Sequence, residues 1–237
     1  MAELDLTPET KVSEVAAHYP AVLRTLEALG IDYCCGGNRT LAEASQSAGM
    51  PVERVVAVLK AAITQSAGAP ESERRWVQAP LDELMKHILE THHAYTHAEL
   101  PRLQEMLTLV NQVHGERYGE LLVPLQEKFL LLKGELEAHL RKEEEAVFPA
   151  VAALLAGRKN GTVAQGIEEL ESEHDGAGDL LKEMRQITGD YRVPKGVCTT
   201  YEALYRGLQE LEADLHRHIH LENNVLFPRA RELRSAA

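Results

Sequence analysis

Two stretches of this chain repeat one pairing of imidazole and carboxylate. The first is His139-Leu-Arg-Lys-Glu143, running on to Phe148-Pro149; the second is His218-Ile-His-Leu-Glu222, running on to Phe227-Pro228. Every member of the second stands 79 residues after its counterpart in the first. Residues four apart share one face of a helix, about 40° apart around its axis, so each stretch sets a nitrogen donor beside an oxygen donor. One such pair in a charge-rich chain is more often a surface ion pair than a ligand set. Two copies in the same local context point to a metal. A single histidine also precedes each copy, His93 before the first and His174 before the second, 81 residues apart. The repeating unit is therefore a helix pair, one helix giving His and the next giving His plus Glu. Two such units packed antiparallel bring His93, His139, Glu143, His174, His218 and Glu222 into one core as a di-metal site. By spacing alone, His92 and His97 compete with His93.

Each metal in such a site receives two imidazoles, and the two carboxylates can bridge the pair. Nitrogen and oxygen ligation with open positions suits iron or manganese, and the lack of core cysteine argues against a zinc–thiolate site. The ligands bind deprotonated, so metal loss is expected as pH falls through the histidine range. Phe148-Pro149 and Phe227-Pro228 read as packing and helix-end residues. His220 lies two residues from Glu222, about 200° round a helix, and reads as a surface residue.

The elements that position these residues are long helices. From Pro80 the pattern predicts four of them: Leu81 to about Val113, about Pro124 to Leu155, about Val163 to Thr188, and about Thr199 to Leu233. Short connections, among them Gly157 to Gly161, imply an up-down-up-down bundle. Pro101 falls inside the first helix, where packing can carry a kink. Upstream, Thr10 to Leu29 reads as a short amphipathic pair broken at Pro20 and stopped at Gly30. Thr40 with Glu43 forms a capping box for Leu41 to Ala48, and Pro51 to Ile63 is a further helix. The expected layout is a small helical domain over 1–65, a linker over 66–79 and the bundle over 80–237. The fold class is all-α.

Composition narrows the function. The formal charge of −12 over 237 residues makes a nucleic-acid or anionic-membrane partner unexpected. No apolar stretch approaches the ~20 residues that span a bilayer, and the acidic N-terminus lacks the basic start of a secretory signal. Cytoplasm is the expected location. Three cysteines, two of them adjacent, do not form a disulfide framework. Cys34-Cys35 opens onto Gly36-Gly37, which lets the backbone approach another surface closely. The pair reads as thiols for redox exchange or for binding metal or nitric oxide, or else as two small residues at a turn. Cys198 reads as structural.

Asp32-Tyr-Cys-Cys-Gly-Gly37, Glu171-Ser-Glu-His-Asp175 and Leu221-Glu-Asn-Asn-Val-Leu-Phe-Pro228 together resemble the repair-of-iron-centres (RIC) proteins, which are hemerythrin-like di-iron proteins of bacteria. The resemblance runs from about Val12 to Arg229. It implies a hemerythrin-like four-helix bundle behind a di-cysteine domain, holding two non-haem iron ions with oxo or hydroxo and carboxylate bridges. It selects His93 over His92 and His97, and makes Glu143 and Glu222 the bridging ligands. Glu135 and Glu173 match acidic positions of the family and are assigned to proton or iron traffic. Cys34 and Cys35 are assigned to a redox or iron/nitric oxide relay. The implied function is repair of iron–sulfur clusters damaged by nitrosative or oxidative stress, through iron supplied to damaged or apo iron–sulfur proteins. The resemblance also admits an enzyme, a nitric oxide reductase forming nitrous oxide. A third reading is a hemerythrin-type module that binds or senses oxygen or nitric oxide. Oxygen carriers of that class use a histidine-richer set, so carriage fits least well. A homodimer is compatible with the sequence.

Overall fold

Thr40 shows how closely local sequence sets the helix starts. Its side chain accepts from the Glu43 N–H while the Glu43 carboxylate accepts from the Thr40 N–H, a capping box that opens the helix Leu41–Ser47. The computed structural model describes residues 4–66, 76–158 and 163–236, with side chains to 233. Among these the regular structure is helical, with one isolated bridge between Lys11 and Thr40. The all-α expectation holds. The chain divides into two compact units, Met1–Met85 with His216–Ala236, and Lys86–Leu215. No described helix is long and apolar enough to cross a membrane.

In the first unit, α1 (Val12–His18), a 3₁₀ turn at Pro20–Val22, α2 (Leu23–Ala28), α3 (Leu41–Ser47) and α4 (Val52–Ser66) follow the expected order. Gly30, at φ 66°, ends α2 in the left-handed region that favours glycine. Val12, Val15, Leu26, Leu41 and Leu59 are fully buried in one small core. Most of the expected linker, residues 67–75, lies outside the described residues; Trp76–Gln78 forms a single 3₁₀ turn. Arg229 donates to the Trp76 and Ala79 carbonyls at 3.1 and 2.8 Å and so ties this segment to α10 (Phe227–Ala236).

The second unit carries the bundle core. The helix α5 (Leu81–His87) passes through a π-helical turn, Ile88–His93, into α6 (Ala94–Lys142). The sequence predicts two helices with a connection between Val113 and Pro124, but the helical ladder runs on with a break only at Tyr118, where φ is −124° and ψ 17°. The chain reverses there. Asn111 bonds Gln126 at 2.8 Å, whereas a straight helix would hold residues fifteen apart at about 22 Å. Pro101 and Pro124 lie inside α6, as expected for Pro101. A second π turn, Glu143–Val147, leads into α7 (Phe148–Leu155). Residues 159–162, which include most of the expected Gly157 to Gly161 break, lie outside the described residues. The helices α8 (Val163–Thr188) and α9 (Thr199–Leu221) complete the set. Both arms of α6, α8 and the first part of α9 share one core around Leu103, Phe129, Leu181 and Leu208. Each fully buried leucine there contributes roughly 2 kcal/mol of transfer free energy.

Candidate metal centre

Within the Lys86–Leu215 unit, four of the six sequence-derived ligands are buried together: His93, His139, Glu143 and His174. The π turn before α6 supplies His93, α6 supplies His139, the π turn after α6 supplies Glu143, and α8 supplies His174. One ligand atom from each of His139, Glu143 and His174 lies within 4.8 Å of the others. The His139 and His174 Nε2 atoms are 3.0 Å apart. Glu143 Oε1 is 3.4 Å from His139 Nε2, and its Oε2 is 3.3 Å from His93 Nε2. This one carboxylate therefore offers each of its oxygens to a different imidazole. It is 0% exposed, and neither oxygen accepts a hydrogen bond among the described residues. A buried carboxylate without donors costs on the order of several kcal/mol unless a cation neutralises it. Imidazole nitrogens converging on that carboxylate are the donor set that a divalent first-row metal takes, so these residues fit iron.

Carboxylates also stand behind the imidazoles. His93 Nδ1 donates to Glu144 Oε1 at 2.8 Å, and His139 Nδ1 donates to Glu173 Oε2 at 2.9 Å. Such bonds fix the ring and leave Nε2 for a metal. The outer partners of the two carboxylates differ. Glu144 Oε1 also takes His97 Nε2 at 3.1 Å, whereas Glu173 Oε1 pairs with the Lys142 ammonium. Burial opposes ionisation of both. The His93 and His97 bonds outweigh it at Glu144, the Lys142 and His139 bonds outweigh it at Glu173, and both carboxyls are held below their usual range. Glu173 is thus beside His139, while Glu135 is exposed and has no described contact with the cluster. Sequence reasoning missed Glu144 and Lys142. Both flank Glu143 directly, and adjacent residues on a regular α-helix diverge by about 100°, so spacing carried no signal for them.

In the other unit, His218 Nε2 and Glu222 Oε1 are 3.1 Å apart and both side chains are buried. A third π turn, Glu222–Leu226, begins at that glutamate. Its amides clasp the cysteine loop: Asn224 Nδ2 donates to the Tyr33 and Cys34 carbonyls at 3.1 and 3.3 Å, and Asn223 Nδ2 reaches the Cys34 carbonyl at 3.5 Å. A Cβ on Gly37 would stand 2.9 Å from Asn224 Oδ1, so the close approach expected of this glycine is real. The surface expectation for His220 is corrected. It is buried against the edge of Tyr33, with ring centroids 5.5 Å apart, and bonds Asn224 at 3.0 Å. The cysteine loop covers the helix face that carries His220, and burial brings the His220 imidazole down to about 4.

Cys34 and Cys35 are thiols outside any disulfide, with sulfurs 3.8 Å apart. Asp32 Oδ1 gathers the N–H groups of Cys34, Cys35 and Gly36 at 3.0–3.1 Å, and Asp32, Cys34 and Cys35 offer three donor atoms within 4.8 Å of one another. The bond to Cys35 and then burial push the Cys34 thiol well up. Cys198, expected to be structural, is an exposed thiol instead. It lies 3.2 Å from His114 Nε2 at the start of α9. The His114 bond, with N–H donation from Tyr201 and Thr200, brings it down to about 7.

Residues 84–230 match the Hemerythrin HHE cation binding domain, and residues 8–63 match a domain described as of unknown function. The chain is 37% identical over 221 residues to the iron-sulfur cluster repair protein YtfE of Escherichia coli O157:H7, covering 92% of this chain and 95% of that protein. It is 35% identical over 223 residues to the protein of the same name in Dickeya chrysanthemi (strain Ech1591), covering 94% of this chain and 96% of that protein.

Proposed function

This chain belongs to the hemerythrin HHE cation-binding family, among the iron–sulfur cluster repair proteins, and we propose that it repairs damaged clusters by giving up ferrous iron from a two-iron store. His139 and His174 would hold one ion and His93 and His218 the other, with Glu143 and Glu222 as the carboxylate ligands. The Glu143 carboxylate carries this reading, being wholly buried and opposed by one imidazole at each oxygen.

When bound, the irons supply open coordination positions and a change between ferrous and ferric states. The chain's own residues do the rest. Glu144 and Glu173 hold the Nδ1 protons of His93 and His139 and keep their Nε2 atoms aimed inward. The buried histidines exclude bulk water from the ligand atoms. Cys34 and Cys35 act as a relay for departing iron, supported by the loop's contact with the turn that starts at Glu222 and by the three donor atoms it groups. The client is an apo or damaged iron–sulfur protein.

The test is anaerobic repair of a nitric oxide-damaged iron–sulfur enzyme. Protein with two irons per chain is expected to restore activity, and a Glu143→Ala, Glu222→Ala double variant is expected to bind no iron and restore none. Equal repair by the iron-free variant sinks the proposal.

A further inference from the structure

His93, at the end of the π turn before α6, and His139, on α6, are backed alike and capped differently. Behind His139, both oxygens of Glu173 are committed, one to the imidazole and one to Lys142. A lysine ammonium has three donors and no lone pair for a metal, so that outlet is closed by a fixed positive charge. Behind His93, one oxygen of Glu144 serves both His93 and His97. His97 is 49% exposed, Glu144 36% and His93 2%. Nitrogen and oxygen donors thus step from the buried ligand to the surface, and an imidazole binds ferrous iron where an ammonium repels it.

We infer that the two irons are unequal: the ion on the His93 side is the one given up, the His97–Glu144 pair is its first halt at the surface, and the ion held by His139 and His174 stays behind the Lys142–Glu173 pair. His97 is a positioning and transfer residue here, since it touches Glu144 and no proposed ligand in the described contacts. This inference rests on the two-iron reading above and sharpens it, because it names which half of the store is the cargo.

Ferrous protein loaded to two irons per chain is mixed anaerobically with excess ferrozine, and release is followed by absorbance. The unaltered protein is expected to release one iron fast and one slowly. The His97→Ala variant is expected to keep both irons and the unaltered spectrum of the oxidised protein, with the fast phase slowed. His97→Lys, which copies the closed side, is expected to slow the fast phase at least as much, and neither change touches the slow phase. Anomalous diffraction from half-depleted crystals is expected to show iron between His139 and His174. Release of both irons in one phase, an unaltered fast phase in both variants, or iron remaining on the His93 side each overturns the inference and leaves the store itself standing. Failure to hold two irons overturns both.

Discussion

At the scale of single residues, the chemistry divides by what each side chain leans on. Cys34 and Cys198 are both free thiols, yet one is buried beside a second sulfur and a carboxylate while the other sits exposed beside His114. The thiolate is the reacting form, so alkylation at pH 7 is expected to label Cys198 first, with its rate rising through a midpoint near 7. The His114→Ala variant should move that midpoint up toward the ordinary cysteine value and slow labelling at pH 7 by about 10-fold. Mass spectrometry of timed iodoacetamide quenches decides it; Cys34 labelling ahead of Cys198 would show that the environments have been misread. The repeat of His139 and Glu143 in His218 and Glu222 could be seen in the sequence, and those four side chains are buried. The partners behind the imidazoles could not be seen there. Glu144, Lys142 and His97 act through contacts 31 to 51 residues away in sequence, and no local pattern encodes such a meeting.

At the scale of elements, the π turns were illegible and the helices were not. Apolar periodicity and capping residues are local signals, which is why Thr40, Gly30 and the four long helical segments could be read directly. A π turn adds one residue to a helix without changing residue types, so Ile88–His93, Glu143–Val147 and Glu222–Leu226 left no mark. Each contains a proposed ligand. The reversal at Tyr118 was hidden similarly, since helical residues continue on both sides; Gly115 and Gly119 flank it. Deleting Glu145 should close the second π turn to α pitch and swing Phe148 by about 100°, away from His93, whose ring centroid is 5.7 Å from its own. Iron content should fall well below two per chain while the helical circular dichroism signal is kept. Full iron occupancy in the deletion variant would mean that the extra residue is incidental.

At the scale of the whole molecule, the N-terminal helices and the end of α9 fall in one compact unit, a grouping that no local pattern encodes. His220 was misread for the same reason, because its cover arrives from residues almost two hundred positions earlier. The amides of Asn223 and Asn224 grip the backbone carbonyls of Tyr33 and Cys34 rather than any sulfur. That grip is indifferent to what the side chains are. A Cys34→Ser, Cys35→Ser double variant should therefore melt within a degree or two of the parent and hold two irons, while cluster repair falls at least about 10-fold. Unimpaired repair would remove the thiols from the mechanism. The loop works as a socket and the sulfurs as its exchangeable contents: what the fold conserves there is a place, so the same architecture can be refitted with other donor atoms without rebuilding the frame that holds them.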